Sequence, residues 1–135
     1  MIIAITGGIG AGKSTAITAI KQMGYQVISA DDTYAELLKD LEFVQGVYRA
    51  VEITSDKVEL DRNLVSTAVF NSPQKLKALN DFTHAKIYKA MFEKSEGYEV
   101  VFHEVPLLFE SGYQAKYDKV IVIMRDINAR IQSVK

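Results

Sequence analysis

Residues 2–14 read IIAITGGIGAGKS, an apolar run that passes into a glycine-rich loop and ends in a lysine and a serine. Residues 2–5 are wholly apolar and mostly β-branched, which predicts a central strand buried on both faces of a sheet. Residues 13–23 place apolar side chains at helical spacing and stop before Gly24, a residue type that commonly ends helices. The opening of the chain therefore predicts a strand, a tight loop and a helix.

The loop matches the pattern G-x-x-x-x-G-K-[ST] in full. Its glycines allow backbone N–H groups to point inward, and the start of the helix adds the positive end of its dipole, so a polyphosphate is held mainly by main chain. We expect Lys13 to bridge the β- and γ-phosphates of ATP and to act in catalysis, and Ser14 to bind Mg²⁺. The predicted nucleotide-contacting residues are Gly8, Ile9, Gly10, Ala11, Gly12, Lys13, Ser14 and Thr15.

Two other interpretations of the loop are a glycine-rich turn that binds nothing and a dinucleotide loop of the G-x-G-x-x-G type. The glycines at positions 8, 10 and 12 do not have the spacing of a dinucleotide loop. No turn requires the pair Lys13-Ser14. The pattern and its flanking elements favour nucleotide binding.

Three further apolar runs predict strands at residues 25–28, 99–105 and 119–124. An aspartate of the pair Asp31-Asp32 is expected to cap a helix over about residues 34–41, with Asp32 better placed to do so. Further helix starts are expected at Asp61, for a helix through Phe70; at Pro73, for a helix to about residue 96; and at Asp126.

Strands separated by helices, without hairpin turns, indicate a parallel sheet with right-handed crossovers and helices on both faces. The sequence therefore predicts one α/β domain over residues 1–135. Its core covers residues 1–32 and 98–135, and a helical subdomain covers about residues 33–97.

Composition excludes several classes of protein. The 135 residues contain no cysteine, which excludes disulfides, zinc–thiolate sites, iron–sulfur clusters and a cysteine nucleophile. The 16 basic and 17 acidic residues balance, which argues against a broad basic face for nucleic acid or a membrane surface. No membrane-length apolar stretch or signal peptide is visible. The lack of cysteine fits a reducing cytosol, and we expect a cytoplasmic protein without nucleic-acid or membrane partners.

Carboxylates follow the predicted strands, where ligands of parallel α/β sheets bind. Asp31 is the candidate general base, because helix capping needs only one aspartate and leaves the other available. Glu104 is the candidate for holding a magnesium-bound water. For His84 and His103, a hydrogen-bonded structural role is favoured over acid–base catalysis, since phosphoryl transfer does not require a histidine.

With these residues in view, the chain resembles the dephospho-coenzyme A kinase family. The matching stretches are residues 6–15 (TGGIGAGKST), 27–31 (VISAD), 60–62 (LDR), 69–70 (VF), 79–84 (LNDFTH) and 105–110 (VPLLFE). The resemblance implies a P-loop NTPase three-layer sandwich with strand order 2-3-1-4-5, a helical substrate subdomain, and transfer of the γ-phosphate of ATP to the ribose 3′-hydroxyl of dephospho-coenzyme A. It also implies that Asp31 activates that hydroxyl and that Arg62, His84 and Glu110 belong to the substrate site.

The sequence departs from the family pattern in three places. Ser29 stands where the first aspartate of Asp-Ala-Asp is usual, and Ala85 stands where proline usually follows the histidine. The family's arginine-bearing lid, fifth strand and C-terminal helix have no counterpart before Lys135. On this ground we expect the 135 residues to bind ATP and Mg²⁺ but to turn over slowly. The alternatives are a kinase for a nucleoside monophosphate or another small hydroxyl acceptor, and a nucleotide-binding module without full catalysis.

Overall fold

The computed structural model describes residues 1–7 and 12–124. Its strands are β1 (Ile2–Gly7), β2 (Gln26–Ser29), β3 (Val101–Glu104) and β4 (Lys119–Ile123). Its α-helices are α1 (Lys13–Gln22), α2 (Ala30–Leu37), α3 (Leu41–Ala50), α4 (Arg62–Phe70), α5 (Pro73–Lys94) and α6 (Leu108–Ser111), with a 3₁₀ helix at Gln114–Lys116. The chain divides into two compact units, Asp31–Glu93 and the remainder.

The first unit, called the core unit below, is built on a parallel sheet with strand order β2-β3-β1-β4. The strand β1 lies between β3 and β4, and its residues 3–6 are buried, as the unbroken apolar run predicts. Ile17 of α1 packs with Ile3, Ile5 and Phe102 of the sheet. The α/β class, the parallel sheet and the predicted order of its first four strands are confirmed.

The helix α1 ends as the glycine at position 24 predicts. Gly24 has a φ of 91°, and its N–H donates to the carbonyl of Lys21. The N–H of Tyr25 donates to the carbonyl of Ile20, which completes a Schellman motif. This motif turns the chain directly into β2.

The second unit, called the helical unit below, contains α3, α4 and nearly all of α2 and α5. Its core consists of apolar side chains from α3, from Val51 directly after it, and from α4: Phe43, Val44, Val47, Tyr48, Val51 and Val65. The N-cap of α4 is Asp61, whose side chain accepts from the N–H groups of Asn63 and Leu64, as expected. The predicted start of α5 at Pro73 is also confirmed.

The predicted cap of the second helix is wrong. The helix α2 begins at Ala30, immediately after β2, so Asp32 lies inside its first turn rather than before it. Carboxylates in a first turn are stabilised by the helix dipole, which explains why both aspartates fit there. The helix ends at Leu37, and Asp40 caps a separate helix, α3, by accepting from the N–H of Glu42. The helix expected at Asp126 lies outside the described residues.

Candidate active site

The two ends of the glycine loop are positioned by close packing and by backbone conformation. Gly7 ends β1, and a Cβ atom on it would lie 2.6 Å from the carbonyl oxygen of Ile123 on β4. Gly12 has a φ of 87°, in the left-handed region that favours glycine. The predicted contacts Gly8, Ile9, Gly10 and Ala11 lie outside the described residues. The described ends thus require glycine for two different physical reasons.

The helix α1 begins at Lys13, directly after the left-handed glycine. No side chain caps α1, and its first helical hydrogen bond runs from the N–H of Ala16 to the carbonyl of Gly12 at 3.2 Å. The N–H groups of Lys13, Ser14 and Thr15 therefore have no partner within the helix. Free N–H groups and the positive end of the helix dipole together favour an anion at this end of α1.

The side chains of the first turn of α1 are available to a ligand. Lys13 is half-buried and forms no ion pair with any described residue, while Ser14 and Thr15 are exposed. The carbonyl of Ser14 accepts a hydrogen bond from the Thr18 hydroxyl at 3.0 Å. The hydroxyl of Ser14 has no hydrogen bond within residues 1–7 and 12–124. One cation, Lys13, and two exposed hydroxyls, those of Ser14 and Thr15, thus accompany the end of the helix that favours an anion.

The carboxyl ends of three strands come together at Glu104. This residue pairs in register with Ser29 of β2 on one side and with Ile5 of β1 on the other. Its side chain is half-buried and has no hydrogen bond or ion pair to another described residue. The carboxylate therefore stands at the sheet edge where ligands of parallel α/β sheets bind.

The remaining predicted site residues are distributed over both units. Asp31 is the second residue of α2, is exposed, and has no hydrogen bond or ion pair within the described chain, so helix capping does not occupy it. Arg62 begins α4 in the helical unit, where it is exposed, and His84 lies half-buried on α5. Glu110 is exposed on α6 of the core unit.

Tyr48 is a residue that the sequence did not single out. It is 1% exposed, its hydroxyl donates to the carbonyl of Glu59 at 2.9 Å, and it accepts from the N–H of Asp61 at 2.7 Å. These two bonds fix the chain that leads into α4 and hence the position of Arg62. No signal in the sequence distinguishes this tyrosine from the apolar residues that surround it on α3.

His103 has the structural role that the sequence favours. It is fully buried, and its two ring nitrogens lie 2.6 Å from the Ser95 hydroxyl and 2.9 Å from the Tyr117 hydroxyl. Burial lowers the pKa of the imidazole from 6.5 to about 4.

Two negative findings apply to the described residues. They contain no group of three or more His, Cys, Asp or Glu side chains that could hold a metal ion. None of their helices has the length and apolar character of a membrane span.

A parallel sheet whose central strand leads through a glycine loop into Lys13-Ser14 at the start of a helix defines the class of phosphate-loop nucleotide-binding proteins. The family model for dephospho-CoA kinase matches residues 1–134. The chain belongs to the dephospho-CoA kinase family.

Individual relatives agree with this assignment. The chain is 32% identical to dephospho-CoA kinase of Chlorobium luteolum, over 97% of this chain and 65% of that protein. It is 34% identical to dephospho-CoA kinase of Staphylococcus haemolyticus, over 97% of this chain and 68% of that protein. The chain thus spans about two thirds of the length of these relatives.

Solved structures share this fold. The crystal structure of TT1252 from Thermus thermophilus superposes with a TM-score of 0.75 at 31% identity, covering 99% of this chain and 70% of that one. Dephospho-CoA kinase from Campylobacter jejuni gives a TM-score of 0.65 at 30% identity, covering 90% of this chain and 64% of that one.

Proposed function

We propose that the protein transfers the γ-phosphoryl group of ATP to the ribose 3′-hydroxyl of dephospho-coenzyme A, the last step of coenzyme A synthesis. One observation carries the proposal: Lys13 and Ser14 begin α1 directly after left-handed Gly12, in a chain that matches the dephospho-CoA kinase family almost end to end.

ATP is held by its phosphates. The loop from Gly8 to Thr15 supplies backbone N–H groups to the β- and γ-phosphates, and the dipole of α1 favours their negative charge. The Lys13 ammonium bridges these phosphates and neutralises the charge that builds up as the phosphoryl group leaves. The absence of an ion pair on Lys13 among the described residues supports this role.

The donor set of Ser14, in the first turn of α1, and Glu104, at the end of β3, fits Mg²⁺. This ion keeps several waters and takes one or two protein ligands together with substrate phosphates, so it needs no cluster of three carboxylates. The Ser14 hydroxyl, which bonds no other described residue, would bind the ion directly, and Glu104 would hold one of its waters. When bound, Mg²⁺ would neutralise phosphate charge during transfer.

Asp31 acts on the acceptor. Its carboxylate accepts the proton of the ribose 3′-hydroxyl as the oxygen attacks the γ-phosphorus; the new O–P bond forms while the bond to the β-phosphate oxygen breaks, and ADP leaves. The exposure of Asp31 and its lack of a hydrogen bond to described residues support this assignment.

The acceptor is bound by Arg62, His84 and Glu110. Arg62 is exposed and unpaired within the described chain, which suits an anion such as the acceptor's diphosphate. The division of the chain at Asp31 and Lys94 supports the assignment of a catalytic core, residues 1–32 and 98–135, and a helical substrate subdomain over about residues 33–97.

An acceptor screen tests the proposal. The purified protein is incubated with Mg²⁺, γ-labelled ATP and, separately, dephospho-coenzyme A, each nucleoside monophosphate, or no acceptor. We expect label in coenzyme A only. Transfer to a nucleoside monophosphate without transfer to dephospho-coenzyme A would refute the proposal. A matched protein carrying Lys13→Ala controls for contaminating kinases.

A further inference from the structure

The helical unit contains an open groove at the start of α4 that no predicted site residue lines. The groove has a volume of about 410 Å³, within the range of roughly 300–1,000 Å³ that small-molecule sites occupy. Its lining residues are Ile53, Asp61, Asn63, Leu64, Thr67 and Ala68. All of them belong to one compact unit, so the groove is a feature of that unit alone.

The groove is electrically neutral. Its one charged lining residue, Asp61, is engaged on both carboxylate oxygens: one accepts from the N–H groups of Asn63 and Leu64, and the other lies 2.9 Å from the Lys57 ammonium. The Lys57 ammonium and these N–H groups hold the pKa of Asp61 below its usual value, so the carboxylate stays ionised and paired. A charged ligand would therefore find no unpaired opposite charge in this groove.

Two neutral polar side chains remain for a ligand. Asn63 and Thr67 are exposed, and neither side chain forms a hydrogen bond within the part of the chain that the structure describes. Because they are four residues apart on α4, their side chains start about 5–6 Å apart on one face of the helix. Between them in sequence, Leu64 is 40% exposed and contributes apolar surface to the same groove.

We propose that this groove binds the pantetheine arm of the acceptor, an inference that rests on the proposed function. The arm is neutral: two amides join its short apolar segments, a hydroxyl lies toward the diphosphate end, and a thiol ends the chain. Those amides are separated by two methylenes, or about 5 Å in an extended chain, which matches the separation of Asn63 and Thr67.

The order of charges along α4 agrees with this occupant. Arg62, an exposed cation without an ion pair to any described residue, immediately precedes the neutral groove residues Asn63 and Leu64. In the acceptor, an anionic diphosphate immediately precedes the neutral arm. The groove is thus a specificity site that distinguishes dephospho-coenzyme A from nucleotides that end at the diphosphate.

Binding measurements test the groove without requiring turnover. With the phosphate loop saturated by a non-hydrolysable ATP analogue, titration calorimetry compares dephospho-coenzyme A with ADP, which has the same adenosine diphosphate portion but no arm, in the unaltered protein and in the double variant Asn63→Ala/Thr67→Val. We expect the double variant to weaken binding of dephospho-coenzyme A roughly tenfold, because two hydrogen bonds to neutral groups are lost, and to leave ADP affinity unchanged. The variants Ser66→Ala and Asn80→Ala change exposed residues outside the groove and serve as controls.

The outcomes separate this inference from the proposed function. Unchanged dephospho-coenzyme A affinity in a folded double variant, or an equal loss of ADP affinity, overturns the groove assignment even if phosphoryl transfer occurs. A loss of dephospho-coenzyme A affinity without a loss of ADP affinity in the double variant supports the assignment of the groove to the arm, even if the acceptor screen shows no transfer. If circular dichroism shows that the double variant does not fold, Thr67→Val alone is compared with Ser66→Ala.

A second measurement uses pantetheine alone. Its binding to the unaltered protein is detected by NMR line broadening, and we expect it to bind. If neither pantetheine nor dephospho-coenzyme A binds, the groove assignment is overturned.

Discussion

The Ser95 hydroxyl lies 2.6 Å from Nε2 of His103, inside the core unit, where His103 is fully buried. The other ring nitrogen of His103 lies 2.9 Å from the Tyr117 hydroxyl, and the two rings meet edge to face. The network joins the chain that follows α5 to the strand β3 and to the segment before β4. A neutral imidazole satisfies both neighbours, and a protonated one would be a buried charge.

We therefore expect acid to destabilise the protein through His103. Because burial lowers the pKa of His103 to about 4 in the folded state, against 6.5 unfolded, the unfolded chain binds more protons between these values. The contribution of the neutral His103 to the free energy of unfolding is fully present above pH 6.5. It is lost as the pH falls toward 4, by up to about 1.4 kcal/mol per pH unit. Urea unfolding of the unaltered protein and of His103→Gln measures this contribution. The difference between their unfolding free energies should shrink as the pH falls from 6.5 to 4, and a constant difference would contradict the lowered pKa of His103.

Gly46 on α3 lies against the ring of Phe82 on α5, and a Cβ on Gly46 would meet the ring's Cε atoms at 2.9 Å. In an open helix, Gly→Ala stabilises by about 1 kcal/mol. Here we expect Gly46→Ala to lower the free energy of unfolding instead, by about 1–3 kcal/mol, because the methyl overpacks the core. Denaturant unfolding with the double variant Gly46→Ala/Phe82→Leu checks the cause, since the smaller side chain should recover part of the loss. A stabilised Gly46→Ala protein would show that the contact relaxes freely.

Gly12 and Gly24 flank α1 with almost the same left-handed backbone, at φ values of 87° and 91°. Alanine has space at both positions but pays the left-handed penalty of about 1–2 kcal/mol, so both substitutions should lower stability similarly. Only Gly12→Ala should also weaken ATP binding, because Gly12 leads into the N–H groups at the start of α1. Thermal unfolding and ATP titration of both variants make the comparison. An equal loss of ATP affinity in Gly24→Ala would show that Gly12→Ala weakens ATP binding through a general loss of stability.

Lys13→Ala should weaken ATP binding roughly 10- to 100-fold, because it removes a charged hydrogen-bond donor from the phosphates. Lys21→Ala, in the last turn of the same helix, removes a cation far from the loop and should bind ATP as the unaltered protein does. ATP titration checks both. Similar losses in the two variants would indicate a general charge effect rather than a contact from Lys13.

Asp31→Asn should leave ATP affinity unchanged and slow phosphoryl transfer by about 100-fold or more, because an amide cannot accept the hydroxyl proton. Asp32→Asn changes the neighbouring carboxylate in the same helical turn and should retain most of the transfer rate. The two variants are compared by single-turnover transfer at saturating ATP. Loss of ATP affinity in Asp31→Asn, or equal rates for both variants, would contradict the role of Asp31 as base.

Local chemistry explains which parts of the fold were predictable. The glycine loop, Gly24, Asp61 and Pro73 each act through backbone geometry or capping within a few residues, and the structure confirms the helix boundaries they predict. The pair Asp31-Asp32 misled because an aspartate is favourable both before a helix and in its first turn, whereas the actual cap farther along is Asp40.

Contacts between distant segments were not predictable from the chain. Tyr48 bonds to groups 11 and 13 residues away, and His103 joins segments on either side of it; neither residue type nor spacing reveals such bonds in advance. The neutral groove on α4 depends likewise on Lys57 pairing with Asp61, which only the folded chain shows.

Competition between acceptors tests the central claim most directly. Equal concentrations of dephospho-coenzyme A and AMP share one reaction with limiting γ-labelled ATP and Mg²⁺, and the labelled products are separated and the position of the phosphate is determined by NMR. The account predicts that the label enters coenzyme A at the ribose 3′-oxygen and that ADP carries none. Label in ADP formed from AMP, with none in coenzyme A, would contradict it.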